Sequence, residues 1–214
     1  KEDYQFFYTF DDDGHLNGKI SKDDQQNYDI YVHNSENKLI SIRTFTANIL
    51  SKEVNYTYDA LGRRVEKQIL NHQDSTKDFT RRFVYDGSEA LMELDETNTI
   101  LATYTHSTLR TDDVLAIDVT SDGVTKGRAL ASGSFYYLKD AQGTITDITD
   151  GNGDLIQHYD YLNFGKLYKV TGPTGNDITS LPTVDPYFTY TNREFDKESG
   201  LYYYRARYLN PSIG

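Results

Sequence analysis

Short stretches of alternating apolar and polar residues run along the chain, separated by clusters of Asp, Asn and Gly. The clearest unit spans residues 56–65, in which Tyr56 and Tyr58 precede a four-residue segment from Asp59 to Gly62. Rings at positions i and i+2 lie on the same face of a strand. Asp at the first position and Gly at the fourth are typical of a type I turn. The unit therefore predicts a strand, a turn and a returning strand.

Seven copies of this unit begin at positions 8, 31, 56, 83, 104, 137 and 159, a spacing typical of repeat arrays. Aromatic and β-branched residues fill the intervals, and no helical period is sustained. We expect an all-β fold with almost no helix, in which tandem hairpins form a curved, coiled sheet. The residues that define the repeat are Tyr8, Asp11, Gly14, Tyr31, Tyr56, Tyr58, Asp59, Gly62, Tyr85, Asp86, Tyr137, Asp140, Gly143, Tyr159, Tyr161 and Gly165.

Composition narrows the possible partners. The apolar share is 37%, so the 19 Tyr and 10 Phe must supply much of the core. A net charge of -11 disfavours nucleic acid and anionic lipid as partners, because both attract basic surfaces. No apolar run approaches the roughly 18 residues of a membrane span, and the absence of Cys makes the fold independent of redox state.

One segment resembles a metal loop. Asp150, Asn152 and Asp154 place oxygen-bearing side chains at alternate positions, as calcium loops do. The segment has no Glu at the loop-closing position, and Asp-Gly-Asn-Gly also forms hairpin turns. We therefore favour a turn, and we predict no metal or other cofactor.

No motif for catalysis stands out in the sequence. The chain has no nucleophile elbow and no phosphate-binding loop. Asp112 and Asp113 are adjacent, so on a strand they would point to opposite faces and make a poor acid–base pair. We predict no catalytic residue. The five His residues are scattered along the chain without the spacing of a zinc site: His15, His33, His72, His106 and His158.

The order of motifs is more specific than a generic repeat. Segments 103–106, 111–116, 135–143, 159–167 and 186–208 follow one another as in the Rhs repeat-associated core, which the chain resembles. The resemblance divides the chain into YD repeats over 1–82 and the Rhs core over 83–214. The residues that mark the end of the core are Arg193, Glu194, Asp196, Gly200, Tyr202, Tyr204, Arg205 and Arg207.

This resemblance implies a container. In the family, which includes Rhs effectors, C subunits of toxin complexes and teneurins, such repeats coil into a hollow β shell. In the bacterial members the shell holds a C-terminal toxin of the same polypeptide for delivery into competitor or host cells. The implied partners are that toxin, neighbouring shell repeats and a secretion-system component, and the implied location is extracellular or at the cell surface. The family's autoproteolytic segment would follow Gly214, and Asn210 stands where Asp is usual.

Other interpretations stay open at this point. The outer face of the sheet could serve adhesion, as in teneurins, or the tyrosine stripes could stack on sugars; packing of the rings against neighbouring hairpins is favoured over sugar binding. A polysaccharide-cleaving enzyme would require clustered carboxylates in a groove. Arg205 and Arg207 alternate with Tyr204 and Tyr208, which predicts that they share a strand face and close the last sheet edge. An isolated array would expose strand edges and aggregate.

Overall fold

A computed structural model describes residues 2–214. Fourteen strands form one antiparallel sheet in which each strand pairs with the next along the chain. This order follows from the repeat, because each hairpin turn returns the chain beside the strand that it has just left. The strands are β1 Phe6–Phe10, β2 Leu16–Ser21, β3 Tyr28–His33, β4 Leu39–Thr46, β5 Ile49–Tyr58, β6 Arg64–Asn71, β7 Phe79–Asp86, β8 Glu89–Leu94, β9 Ile100–His106, β10 Val114–Val119, β11 Gly133–Lys139, β12 Ile145–Thr149, β13 Leu155–Tyr161 and β14 Leu167–Thr171.

A second, smaller sheet follows the large one. Its three antiparallel strands are β15 Glu194–Asp196, β16 Leu201–Tyr203 and β17 Tyr208–Leu209. Among the described residues, helix is confined to α1 Ser121–Thr125 and to short 3₁₀ segments at Ser75–Lys77, Asn163–Gly165 and Tyr190–Asn192. The prediction of an all-β fold with almost no helix is confirmed.

Six hairpins share one turn geometry. In the turn at 59–62 the Asp59 carboxylate accepts backbone hydrogen bonds from Leu61 (3.0 Å) and Arg63 (2.9 Å), and Gly62 adopts a φ of 80°. A single bulge then shifts the register between the two strands. Asp or Asn accepts such bonds in each of these turns because its short side chain reaches the backbone two and four residues ahead. The turns span 11–14, 34–37, 59–62, 95–98, 140–143 and 150–153.

Three repeat copies depart from this geometry. Asp86 is not the first residue of a four-residue turn; it lies opposite Glu89 across a two-residue turn. The copy at 159 has Leu162 in place of the capping Asp, and its turn combines positive φ at Phe164 and Gly165. The copy at 104 is followed by a longer loop, 107–113. The sequence pattern was therefore right about reversal at these places and wrong about the turn type.

The first ring of each repeat is buried. All seven rings are at most 7% exposed, and cross-strand neighbours such as Ile42 and Val54 extend the same buried surface. We call the sheet surface that carries these rings the inner face. The seven residues are Tyr8, Tyr31, Tyr56, Phe83, Tyr104, Tyr137 and Tyr159.

In the repeat copies at 56, 83 and 159, the second ring is a tyrosine that links its hairpin to the preceding repeat. The Tyr58 hydroxyl donates to the Leu39 carbonyl (2.7 Å), and the Tyr161 hydroxyl donates to the Ile145 carbonyl (2.7 Å). In both cases the acceptor lies two residues after the positive-φ residue that ends the turn of the preceding repeat copy, at Asn37 or Gly143. Tyr is therefore favoured over Phe at this position, because a buried carbonyl needs a donor.

The core consists of two buried clusters along the continuous sheet. One comprises Tyr31, neighbouring apolar residues up to Ile69, and Leu201. The other runs from Phe83 to Phe188. The division of the chain at residue 82 stays a prediction, since β6, β7 and β8 pair without interruption across it.

Candidate functional site

The inner face is covered by the chain's own C-terminal part. Residues 184–209, which we call the closing segment, lie across it and include the small sheet. The Tyr187 ring stacks 5.7 Å from Phe83, and the Tyr208 ring lies 5.4 Å from Tyr56. These contacts join residues more than a hundred positions apart. The closing segment is therefore positioned by tertiary contacts with the repeat rings.

A first buried ion cluster centres on Asp196. Its carboxylate pairs with the Arg64 guanidinium and with the Lys67 ammonium (2.9 Å), and the side chains of all three are at most 2% exposed. Burial alone would raise the pKa of the Asp196 carboxyl, but the charges of Arg64 and Lys67 hold that pKa below its usual value. Lys67 also pairs with Glu198, and Lys52 donates to the Glu198 carbonyl. The carboxylate of Asp196 therefore remains ionised inside the protein.

Arg64 is held by aromatic residues as well as by charge. Its guanidinium lies 4.4 Å from the centroid of the Tyr203 ring and donates to the Tyr208 hydroxyl (3.1 Å). The backbone N–H of Arg64 donates to the Tyr203 hydroxyl (3.1 Å). An arginine suits this position because its planar guanidinium can stack on a ring while it hydrogen-bonds a carboxylate.

A signal for Arg64 was present in the sequence. The six turns of shared geometry differ in the residue that lies two positions after the last turn residue. It is aliphatic in five of the turns and is an arginine only at Arg64. The repeat pattern predicts a packing residue at that position, and the exception at Arg64 was missed. A charged residue at a position where the other copies are aliphatic indicates a buried ionic partner elsewhere in the chain. The aliphatic equivalents are Leu16, Leu39, Ile100, Ile145 and Leu155.

A second buried ion cluster joins Asp185 and Glu93 through two arginines. Asp185 pairs with Arg128 (2.6 Å) and Arg81 (3.3 Å), while Glu93 pairs with Arg81 (3.1 Å) and Arg128 (3.2 Å). The Tyr104 hydroxyl also donates to Glu93 (2.9 Å). Burial would raise the pKa of both carboxyl groups, but the two guanidinium groups lower both pKa values. Arg128 follows α1, so this cluster also fixes that loop.

Cations on the large sheet face acidic residues on the closing segment. Strands β6 and β7 supply Arg64, Lys67 and Arg81 to the inner face, and the closing segment supplies Asp185 and Asp196. A buried ion pair adds little net stability, but removal of one partner leaves an uncompensated charge. The clusters therefore select one position of the closing segment over others.

A third contact holds the tip of the small sheet. The Asp112 carboxylate pairs with Arg193 (2.8 Å) and with Arg205. Its neighbour Asp113 pairs instead with Lys139. The two acids thus have separate cationic partners. Both acids lie in the 107–113 loop and not on a strand, so the expectation that they point to opposite faces of a sheet does not apply to them.

The placement of Arg205 and Arg207 on a strand face is wrong. Both lie in the turn between β16 and β17, where Arg205 has a φ of 61° and the Tyr204 N–H donates to the Arg207 carbonyl (2.8 Å). The prediction that they close the last sheet edge is also wrong, because β14 is the terminal strand of the large sheet and the two arginines belong to the separate small sheet. Alternation with Tyr204 and Tyr208 was misleading, since the chain reverses between these two tyrosines.

The other residues predicted to mark the core terminus lie in or beside the small sheet. Glu194 is buried in β15, and this burial raises its pKa. Gly200 has a φ of 71° at the turn before β16. The Tyr202 hydroxyl donates to the Gly165 carbonyl (2.8 Å), which connects the small sheet to the last repeat turn, and the Tyr204 hydroxyl bonds that of Thr191.

The segment with calcium-like spacing forms a repeat turn. Asp150 accepts backbone hydrogen bonds from Asn152 (2.9 Å) and Asp154 (3.0 Å), the geometry of the other turns. These bonds use its carboxylate locally. Across residues 2–214 no group of three His, Cys, Asp or Glu side chains has a metal-binding arrangement. Two of the scattered histidines do meet, since the rings of His15 and His33 stack at 4.8 Å on neighbouring hairpins.

Comparison with known proteins gives weak but extensive similarity. The chain is 26% identical over 161 residues to the tRNA3(Ser)-specific nuclease WapA of Bacillus spizizenii, covering 74% of this chain and 6% of that protein. It is 24% identical over 196 residues to the double-stranded DNA deaminase toxin A of Burkholderia cenocepacia, covering 86% and 13% respectively. It is 38% identical over 81 residues to salivary gland surface protein 1 of Aedes aegypti, covering 37% and 2%. The chain therefore spans a small part of each relative. No protein-family model matches it.

Solved structures show the same fold. A chain of the Photorhabdus luminescens Tc holotoxin pore matches 98% of this chain with a TM-score of 0.59 and 18% identity. A chain of the TcdB2–TccC3 crystal structure without its hypervariable C-terminal region matches 97% with a TM-score of 0.60 and 17% identity. This chain covers 11% and 12% of those two chains. Among residues 2–214, no helix has the length and apolar character needed to cross a membrane.

Proposed function

We propose that this chain is a wall segment of a hollow β shell in a toxin protein, where it helps to hold or present a C-terminal toxin domain for delivery into competitor or host cells. The observation that carries the proposal is the continuous 14-stranded meander, whose fold matches Tc toxin components over almost its whole length. Two curated relatives are themselves named as a nuclease and a deaminase toxin. The proposal places the protein outside the cell or at its surface.

The two edges of the large sheet, each only partly covered by the chain itself, are compatible with a place within a longer array. Glu2 bridges to Phe7 beside β1, and beside β14 the Ile178 N–H donates to the Val170 carbonyl (2.9 Å). Each strand has only one paired strand neighbour in the sheet, so a further strand can add where its edge is not bridged. Neighbouring repeats are the proposed partners at these edges. A secretion-system component is a further partner that the toxin role implies.

The wall segment itself is proposed to be non-enzymatic. The buried carboxylates of Asp185, Asp196 and Glu93 pair with cations, which lower their pKa values below the usual range. A general acid or base needs a pKa near the working pH, and these groups are shifted away from it. The nuclease and deaminase names apply to relatives of which this chain matches only a small part.

The decisive experiment uses the intact natural protein that contains this chain. Mass spectrometry would locate any break downstream of Gly214, and size-exclusion chromatography would show whether the released fragment stays with the shell. A C-terminal fragment that co-elutes and resists protease until the shell is denatured is the expected result. An uncut chain that continues into repeats or an anchor, with no protected fragment, would contradict the proposal.

One surface favours a second candidate function, adhesion. On the face opposite the inner face, apolar residues form a cross-strand row over five strands, in which the Tyr28 and Phe45 rings stack at 4.7 Å. One relative is named a surface protein. One side chain of the row is exposed and the other four are half-buried, and aromatic rings with an accessible face can stack on sugars. The row comprises Phe7, Ile20, Tyr28, Phe45 and Leu50.

A glycan array tests this alternative directly. If the row binds sugar, the protein should retain specific glycans and Phe45→Ser should abolish that retention. The matched variant Phe164→Ser removes an exposed ring outside the row and should have no effect. Absence of glycan retention, or equal retention by both variants, would count against adhesion through this surface.

A further inference from the structure

A pocket of about 290 Å³ lies between the first two hairpins and the end of the closing segment. Its lining includes the apolar side chains of Leu16, Leu39 and Leu201, which belong to or pack against the buried cluster of β3 to β6. Tyr58 and Tyr208, whose hydroxyls lie 3.2 Å apart, also line it. This volume and apolar lining suit one large side chain or a small ring.

Basic residues are concentrated in the lining. Arg207 is exposed, and it makes no ion pair with any residue in the described range 2–214. The Lys38 ammonium lies 5.3 Å from the Tyr58 ring, and its carboxylate neighbour Glu36, at 3.6 Å, is itself mostly exposed. The stacked pair of His15 and His33 completes this side of the pocket.

The acid nearest the histidines is already engaged. Asp11 accepts backbone hydrogen bonds from Asp13 (3.1 Å) and His15 (2.7 Å) through one oxygen, and its other oxygen lies 3.1 Å from His15 Nδ1. Lys38 and Arg207 therefore place positive charge at the pocket in a chain whose net charge is -11. A local reversal of sign of this kind favours an anionic partner.

The inner face already contacts one segment that combines acidic and large apolar residues, namely the closing segment. In the closing segment the Asp196 carboxylate meets Arg64 and Lys67, while nearby Leu201 and Tyr203 pack on the rings of the repeats. Acidic residues and large apolar side chains thus occupy the inner face together. The pocket extends this combination of cations and apolar floor to a place that the closing segment leaves open.

We propose that this pocket binds an extended acidic peptide segment of a partner protein, with one large apolar side chain on its Leu-lined floor and flanking carboxylates on Arg207 and Lys38. Charge complementarity and the chemistry of the closing segment both select this occupant. The site is independent of the wall function proposed above, because it requires neither a shell nor a toxin.

The test uses the natural protein and a fluorescein-labelled peptide, acetyl-Asp-Glu-Phe-Asp-Glu-amide, whose binding is measured by fluorescence anisotropy. Arg207→Glu and Lys38→Glu should each weaken binding by about tenfold or more, since each removes a charge-assisted contact and adds repulsion. Arg110→Glu makes the same charge change at an exposed arginine in the 107–113 loop and should leave the affinity within about twofold.

Two further ligands test the contribution of the apolar side chain and the class of ligand that the pocket takes. The peptide with Ser in place of Phe should bind at least about tenfold more weakly, because it leaves the apolar floor empty. Equal binding of the two peptides, or equal loss in Arg110→Glu and Arg207→Glu, would overturn the proposal. Phenylacetate that competes with an affinity equal to that of the peptide would assign the pocket to a small aromatic acid and would also overturn it. Circular dichroism of each variant confirms that the fold is retained.

Discussion

The repeat turns and the closing segment are stabilised at different ranges along the sequence. In a turn such as 59–62, the Asp59 carboxylate accepts hydrogen bonds from backbone groups at most four residues away. The same pattern occurs in six turns. The closing segment is held by pairs such as Arg64 and Asp196, which are 132 residues apart. Loss of one turn therefore affects one hairpin, whereas loss of one buried ion pair affects the attachment of the whole closing segment.

The largest expected effect is a loss of stability in acid, because protonation acts on several buried carboxylates together. Asp185, Asp196 and Glu93 have folded pKa values below their usual range, so the folded state binds fewer protons than the unfolded state. The stabilisation from these carboxylates should be complete above their unfolded-state pKa values of about 4. The free energy of unfolding should then fall as the pH drops below those values. Urea denaturation at pH 7, 5 and 3 measures this.

Glu194 provides an internal check on the sign of the acid effect. Burial raises its folded pKa, so protonation of Glu194 alone would favour the folded state. Glu194→Gln should therefore be tolerated at pH 7 and should leave the acid loss in place. Unchanged stability of the wild-type protein from pH 7 to pH 3 would contradict the role given to the three paired carboxylates.

Asp196→Ala should destabilise the protein strongly at neutral pH. It leaves Arg64 and Lys67 buried without their common partner, which typically costs about 3–5 kcal/mol of unfolding free energy. Chemical denaturation measures the loss, and the exposed Asp12→Ala should be close to wild type. Similar stability of the two variants would show that the ion cluster does not hold the closing segment.

Gly143→Ala tests the stability of a single repeat turn. Gly143 has a φ of 81°, and an added Cβ there would meet no atom within 4 Å, so the cost is purely conformational. We expect a loss of roughly 1–2 kcal/mol. Gly151→Ala is the matched control, since it has equally open surroundings without a positive φ. Equal thermal stability of the two variants would argue against the strained turn.

Tyr58→Phe should give the smallest effect. It removes the donor to the Leu39 carbonyl and the contact with the Tyr208 hydroxyl (3.2 Å) but keeps the ring, so a loss of about 0.5–1.5 kcal/mol is expected. Tyr168→Phe, at a position that is 64% exposed, should be neutral. Faster amide exchange in β4 and β5 of Tyr58→Phe, with β13 unchanged, would locate the effect between adjacent hairpins. Uniform exchange throughout the sheet would contradict a local link.

The sequence predicted the turns well where the chemistry is local. Asp or Asn followed three positions later by Gly or Asn recurs in the six turns of shared geometry, and each of these segments forms the expected reversal. Asp86 shows where the pattern alone is insufficient, because Gly87 immediately after it permits a two-residue turn instead. Turn type depends on which nearby residue can adopt positive φ, and two choices were available there.

The candidate site was predicted only in part. Asp196 and Glu194 were named as markers of the core terminus, but nothing adjacent to them in sequence indicated that Arg64 and Lys67 would lie beside Asp196 in space. Arg205 was placed on a strand because it alternates with tyrosines. Alternating residues share a strand face only where the backbone is extended. The positive φ at Arg205 ends the extended conformation.

The sequence by itself determined the repeat and the places at which the chain reverses, because both depend on hydrogen bonds between residues a few positions apart. It also determined that large rings, one per repeat, would form the core. Only the tertiary structure decided which sheet face would be covered, by which segment and through which ion pairs. Those contacts join residues far apart in the chain, and their free energy depends on mutual burial, which no local pattern of residues contains.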